Sequence, residues 1–310
     1  MKTNNSDIQK VLVLGGSGDQ GWPLINALNE YGVEVIAGVR RLDAMDNTPH
    51  ANIATLAADI SDPASLETAF GQVDALAMNL PFEHDIEIAT SYGKNIANAA
   101  RAAGLKKLVF NTSCFIADGE DLGLGGHEGR QRIEKEIEDC GVDYVVIRPT
   151  VFMDNAIRQW IKPSIVNNST FPYAAKDTLK ISWIALEDVG RLMACALFSS
   201  EVSREKILVG GPEALTGHDV ARCLTAVAGR EISFQSLEPI ELAENLSEMV
   251  TGSREVPEGS VYWGMARFYS WYNEQPISPL AVDPLSFQSK LPVQLTTYAQ
   301  WAAKQDWDKV

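Results

Sequence analysis

Through the first half of the chain, short unbroken apolar runs alternate with longer stretches whose apolar residues recur at helical spacing. The runs at 11–14, 33–39, 53–57, 75–78, 107–111 and 144–147 are rich in β-branched residues and predict strands. Between them, 21–30, 63–70, 85–103 and 129–139 predict helices. This alternation is a series of βαβ units. Strands apolar throughout, such as Val11-Leu12-Val13-Leu14, suit a parallel sheet covered on both faces. Right-handed crossovers then give an α/β fold with a doubly wound parallel sheet of the Rossmann kind.

Beyond Pro149 the rhythm breaks. Residues 155–178, with Trp160, Pro163, Phe171, Pro172 and Tyr173, predict an irregular segment, expected to form part of a lid or substrate wall. Regular patterning returns as a strand at 181–184, a helix at 186–198 and a short strand at 207–209, pieces expected to rejoin the sheet. From Thr216 onward helical patterns dominate, including an aromatic stretch at 262–272 and a last helix near 296–304. The expected division is a Rossmann domain over 1–154, completed by about 181–211, and a smaller, mainly helical C-terminal substrate-binding subdomain from 155–180 and 212–310.

Composition narrows the class. With 45% apolar and 22% charged residues among 310, the chain is neither disordered nor fibrous. Lysine plus arginine less aspartate plus glutamate is 26 − 41 = −15, a field that repels phosphate backbones and anionic lipid. No nucleic-acid or membrane partner is therefore expected. The opening stretch 1–10 is polar and lacks the pattern of a secretory signal, and apolar runs such as 192–198 fall far short of the roughly 20 residues of a membrane span. Cys114, Cys140, Cys195 and Cys223 show no C-x-x-C spacing, and His50, His84, His127 and His218 are scattered. No disulfide framework or metal cluster follows from this pattern, and a cytoplasmic chain is expected. A homodimer stays open.

The chemistry begins at Gly15-Gly16-Ser17-Gly18-Asp19-Gln20-Gly21, between the first strand and the first helix. Glycines let a backbone turn sharply and approach a pyrophosphate, whose charge then sits at the donor-bearing end of the helix. Gly16, Gly18 and Gly21 read as G-x-G-x-x-G, while Gly15, Gly18 and Gly21 read as G-x-x-G-x-x-G. Both readings predict a bound dinucleotide; the alternative is a turn serving backbone geometry alone. At the end of the second strand, where a carboxylate would bond a ribose hydroxyl, stand Arg40 and Arg41. Guanidinium groups there suit a 2′-phosphate, which favours NADP(H) over NAD(H), against the alternative of an exposed basic turn. Asp59, after the third strand, either bonds the adenine amino group or caps the turn ahead of Pro63. Asn79, Leu80 and Pro81 follow the fourth strand, either beside the nicotinamide ribose or as a simple turn.

The chain resembles the NmrA-like group of atypical short-chain dehydrogenases over nearly its full length. The stretches that match are Gly15 to Gly21, Val39-Arg40, Asp59-Ile60, Val109-Phe110-Asn111-Thr112-Ser113, Ile147-Arg148-Pro149, Phe152-Met153-Asp154-Asn155, Ile181-Ser182-Trp183-Ile184 and Asp188-Val189-Gly190. The resemblance implies a Rossmann domain that binds NAD(P), with Ile60, Asn111 and Pro149 also along the cofactor, and a small C-terminal subdomain. It does not imply one activity, since similar proteins include NADPH-dependent quinone and enone reductases and cofactor-sensing regulators.

Related enzymes carry Ser, Tyr and Lys, in which tyrosine donates a proton, lysine lowers its pKa and serine orients the carbonyl. Ser113 falls on the serine position. Arg130 stands where relatives place lysine, and Gly126 replaces the tyrosine. His127, beside the vacant place, is expected either as a substitute proton donor or as a helix-capping histidine. Arg130 is expected either to hold a nicotinamide ribose or an anionic substrate oxygen, or to lie on an ordinary charged helix face. The glycine-rich stretch 118–129 is expected as a mobile loop. Tyr262, Met265, Tyr269 and Tyr272 share one helix face and read as core or as a wall for an apolar or aromatic substrate.

Three functions follow: NADPH-dependent reduction of a small apolar conjugated acceptor (quinone, enone or related carbonyl), a non-catalytic NADP(H)-sensing regulator, or a redox-neutral isomerase or lyase.

Overall fold

A computed structural model describes residues 7–42, 52–119, 122–123 and 125–309; residues 1–6, His50, and positions 120, 121 and 124 of the glycine-rich stretch lie outside them. The chain alternates β1 (Lys10–Leu14), α1 (Gly21–Asn29), β2 (Glu34–Val39), β3 (Ala54–Ala57), α2 (Pro63–Phe70), β4 (Ala75–Asn79), α3 (Ile86–Ala103), β5 (Lys107–Asn111), α4 (Gly125–Asp139) and β6 (Asp143–Pro149). It then runs through α5 (Lys162–Asn168) and β7 (Thr170–Tyr173), after which α6 (Leu186–Phe198) and β8 (Glu205–Val209) return to the main sheet.

That sheet has seven strands in the order β3-β2-β1-β4-β5-β6-β8. Parallel pairing runs from β3 to β6, with Val11 opposite Val35 on one side and Ala75 on the other. The order reverses at β1 and β4, and in such sheets the crevice outside the carboxyl ends at the reversal receives ligands. Burial explains the composition of the strands. Val11 to Leu14 are each at most 1% exposed, so an alternating polar residue would have nowhere to face. The two edge strands, β3 and β8, are partly exposed. At the far end of β5, Lys107 is buried and donates to the carbonyls of Ser199 (2.9 Å) and Val202 (2.7 Å), which tie the end of α6 to the sheet.

The chain divides into two compact units. The first comprises Met1–Pro149, Leu186–Leu208 and Phe287–Gln294; the second comprises Thr150–Ala185, Val209–Ser286 and Leu295–Val310. Within the second lie α7 (Gly217–Ala228), β9 (Ser233–Ser236), α8 (Pro239–Thr251), α9 (Val261–Glu274) and α11 (Tyr298–Ala302), while α10 (Leu285–Gln288) crosses its edge. β7 and β9 pair in parallel, Phe171 opposite Phe234. An aromatic core of Phe171, Tyr173, Trp183 and Tyr298 packs with centroids 4.9–6.1 Å apart.

Three expectations are corrected here. Residues 155–178 are not irregular, since they contain α5 and β7; Pro172 and the four-residue length mask the strand in sequence, and a two-stranded sheet tolerates proline because both its strands are edges. Residues 181–184 form isolated bridges, Ile181 to Leu215 and Phe152 to Ile184, and belong to the second unit instead of rejoining the main sheet. The stretch 118–129 is not all loop, because α4 begins at Gly125 and carries Gly126, His127 and Gly129 on its first turns. On α9, Tyr272 is 1% exposed and Tyr262, Met265 and Tyr269 pack on Ala174, Leu242 and Leu246, the core arrangement. Among the described residues no helix is long and apolar enough to cross a membrane.

Candidate functional site

The turn after β1 is built by steric necessity. Gly15 has φ +72°, and a Cβ there would collide with the carbonyl oxygen of Asn79 at the end of β4. A Cβ on Gly16 would come within 2.8 Å of the Ala37 methyl, and one on Gly21 would meet Gly15 and Gly16 carbonyls. Gly18 differs, for its Cβ would find only an ordinary 3.4 Å contact with Gly15 O. Its N–H donates to that same oxygen at 3.0 Å, and Gly21 N–H donates to Gly18 O at 2.8 Å. Packing therefore demands glycine at 15, 16 and 21 and leaves the glycine at 18 unexplained by the protein alone.

The helix behind this turn has an open amino end. Gln20 at the cap of α1 makes no capping hydrogen bond, and the first turn contains no acidic residue. By contrast, Asp62 caps α2 and Asp85 caps α3 through their carboxylates. The positive end of α1 thus carries no capping side chain or carboxylate, which suits an anion such as a pyrophosphate, while Gly21 and Trp22 N–H already donate to Gly18 O and Pro23 has no N–H. Ser17, Asp19, Arg40 and Arg41 are exposed around or beyond this end of the sheet. Asp59 accepts from Ser61 N–H (2.9 Å) and the Ser61 hydroxyl (2.7 Å), which hold its carboxyl below the usual range. That is the turn-capping alternative. The Ile60 carbonyl accepts from Asn95 at 3.0 Å.

Gln20 instead turns its side chain to a buried amide relay. Its Oε1 accepts from Asn111 Nδ2 at 2.8 Å and from the Ser113 hydroxyl at 3.0 Å. Asn111 Nδ2 also donates to Asn79 Oδ1 at 2.8 Å, while Asn111 Oδ1 accepts Ser113 N–H at 2.8 Å. Asn79 and Asn111 are the last residues of β4 and β5, so adjacent strand ends and the glycine turn are stitched together. Ser113 has φ +64°, a left-handed conformation that costs a non-glycine residue about 1–2 kcal/mol and persists only where surroundings over-determine it. The relay supplies that determination.

His127 is not placed as a proton donor. It is 5% exposed, and its Nε2 accepts the Ala117 N–H at 2.9 Å. Burial, helped by the Arg148 charge, pushes its pKa down to about 4, so near neutrality it is an uncharged acceptor that pins the chain after β5. Arg148, just before Pro149, holds the same region. Burial works against its charge, yet bonds to Glu134 (2.8 and 2.6 Å) and to Asp118 (2.7 Å) outweigh this and raise its pKa.

Arg130 does not lie on a charged helix face. It is 1% exposed, donates from Nη2 to the Leu80 carbonyl at 2.7 Å, and places its guanidinium 4.4 Å from the Phe82 ring centroid. Among the described residues Nε and Nη1 find no hydrogen-bond partner, and burial lowers its pKa to about 10. Arg130 therefore fixes the Leu80-Pro81-Phe82 segment beside the sheet reversal. Cys114 is half-buried, and desolvation pushes its thiol up to about 12 against the opposing pull of Arg130, away from thiolate chemistry near neutrality.

The ring of His84 lies against Gly126, the position at which the resemblance expects a tyrosine. A Cβ on Gly126 would lie 3.0 Å from Cε1 and Nδ1 of the His84 ring and 3.5 Å from the Phe82 ring. His84 is partly exposed, and burial lowers its pKa against the opposing pull of Glu83, with Arg130 adding to the lowering. Sequence reasoning passed over it because 42 positions separate it from Gly126 (126 − 84 = 42) and nothing local marks the contact.

Comparison with known proteins bears on the family and the fold. A model of the NmrA-like family matches residues 7–301. The chain is 30% identical over 248 residues to festuclavine dehydrogenase of Aspergillus fumigatus, covering 77% of this chain and 81% of that one. It is 26% identical over 228 residues to the NAD(P)H azoreductase of Xenophilus azovorans, covering 73% and 77%. Among solved structures, an Escherichia coli NADPH-dependent quinone oxidoreductase complexed with NADPH has a TM-score of 0.76 at 23% identity, covering 94% of this chain and 98% of that one.

Proposed function

The chain belongs to the NmrA-like family, and from that premise we propose that it is an NADP(H)-dependent oxidoreductase whose acceptor is a small conjugated compound such as a quinone or enone. The observation that carries the reading is the uncapped amino end of α1 behind a turn in which Gly18 alone has no packing reason to be glycine. Relatives that are an azoreductase and a quinone oxidoreductase support reduction of a conjugated acceptor.

The residues present fit the cofactor. The turn 15–21 would hold the pyrophosphate, Arg40 and Arg41 the 2′-phosphate, and Asn79, Asn111 and Ser113 the nicotinamide end. When bound, NADPH supplies a hydride. Everything else falls to the chain. The amide relay holds Ser113 Oγ in place; as it stands, that hydroxyl donates to Gln20, so it offers a lone pair outward until it turns. Arg130 orients the segment 80–82 through the Leu80 carbonyl. His84 lies against Gly126 with part of its ring exposed, and in this reading it delivers the proton that follows the hydride.

The test is NADPH oxidation with a panel of quinones, enones and azo compounds. Stoichiometric consumption with one class and strong preference over NADH is expected. Tight NADPH binding with no consumption by any acceptor would remove the reductase reading and keep the nucleotide site.

A further inference from the structure

The second unit contains a hollow of about 140 Å³ to which the nucleotide reading assigns no role. Trp160, Leu242 and Leu246 form apolar wall, and Ser164, Glu241 and Asn245 bring polar groups to it. Trp160 packs on the core cluster of Ala174, Leu237, Leu242 and Leu246, so the indole is a fixed surface. Its centroid is 6.1 Å from that of Tyr173.

Glu241 is the unusual member. It is partly buried, and among the described residues its carboxylate has no hydrogen bond or ion pair. The nearby cation is already engaged, since Arg254 bonds Glu244 (2.8 Å), Glu248 (3.0 Å) and Asn245 Oδ1 (2.9 Å). Glu241 stands in the first turn of α8 and borders the indole-walled hollow.

A fixed anion beside an indole is complementary to an organic cation. Ammonium groups are attracted to the π-face of tryptophan more than to any other side chain, and a carboxylate at hand adds Coulombic attraction. An anionic ligand would be repelled by the unpaired Glu241. A neutral apolar ligand would further desolvate the carboxylate without compensating it. The volume lies well below the roughly 300–1,000 Å³ of sites for drug-sized ligands, so the hollow takes a headgroup and not a large ring system.

We propose that this hollow binds a small organic ammonium group, with Trp160 and Glu241 as its recognition pair. The proposal stands independently of nucleotide binding and of turnover.

Calorimetric titration of the full chain with choline, and with its uncharged isostere 3,3-dimethylbutanol, tests it. Choline is expected to bind saturably, at one per chain, about tenfold or more tightly than the isostere. Glu241→Gln should lower choline affinity by about tenfold and abolish the preference for charge, with the thermal unfolding profile unchanged. Trp160→Phe, which keeps a ring against the core, should weaken choline more than the isostere. Equal affinity for the two probes, undiminished choline binding by Glu241→Gln, or no saturable choline binding would each overturn the proposal.

Discussion

The contrast between Gly15 and Gly18 separates what the fold requires from what a ligand requires. Alanine at 15 must adopt φ near +72°, which costs about 1–2 kcal/mol. Its methyl would also overlap the Asn79 carbonyl, a backbone atom at the end of a buried strand that cannot rotate aside. Relief requires the turn or the end of β4 to shift, adding about 1–3 kcal/mol of overpacking. Gly15→Ala should therefore lose about 3 kcal/mol, or roughly 6–12 °C in Tm for a unit of this size. Alanine at 18 meets only a 3.4 Å contact, without a positive φ, so the apoprotein should melt within about 0.5 kcal/mol of wild type. If that glycine exists to admit a pyrophosphate, its replacement blocks one charge-assisted backbone bond worth about 1.5–3 kcal/mol, and NADPH affinity should fall roughly tenfold to a hundredfold. Thermal unfolding followed by circular dichroism and calorimetric titration with NADPH measure the two effects. A Gly15→Ala protein as stable as wild type, or a Gly18→Ala protein with undiminished affinity, would refute the reasoning.

Other residues give further expected outcomes. Arg40→Ala should weaken NADPH about tenfold or more while leaving NADH nearly unchanged, since only the former carries the 2′-phosphate; parallel losses in fluorescence titrations would detach Arg40 from that role. His84→Ala should lower turnover about a hundredfold and remove a rise in kcat/KM toward acid, because the acid form of a histidine with a lowered pKa accumulates only below its ordinary value of about 6.5. An unchanged pH profile would exclude His84 as the donor. His127 should act on stability. Its folded pKa of about 4 lies below the unfolded value of about 6.5, so stability present above pH ~6.5 is lost as pH falls toward 4, by about 3 kcal/mol in the limit. His127→Gln should flatten that part of the denaturation-versus-pH curve, and an identical slope would contradict the buried neutral imidazole.

The nucleotide-binding architecture was legible because its signals are local. Unbroken apolar strands, helical spacing and a glycine turn each declare themselves within a dozen residues, and Ser113 falls on strand β5's end as the pattern requires. What could not be read depends on residues distant in sequence. His127 looks like an available proton donor until Ala117 is found donating to it, and Arg130 looks like one of several charges on α4 until Leu80 and Phe82 are found covering it. The part proposed for His84 rests on its ring lying against Gly126, a contact that has meaning only in three dimensions. The short pair β7 and β9 escaped for a different reason: four-residue strands containing proline or alternating serine give too little periodicity to stand out.

The relay of Gln20, Asn79, Asn111 and Ser113 contains amides and a hydroxyl and no formal charge. None of these groups gains or loses a proton anywhere between mild acid and mild alkali. The floor of the site should accordingly present the same pattern of donors and acceptors across that whole range, so that any acidity dependence of coenzyme retention must originate at its periphery.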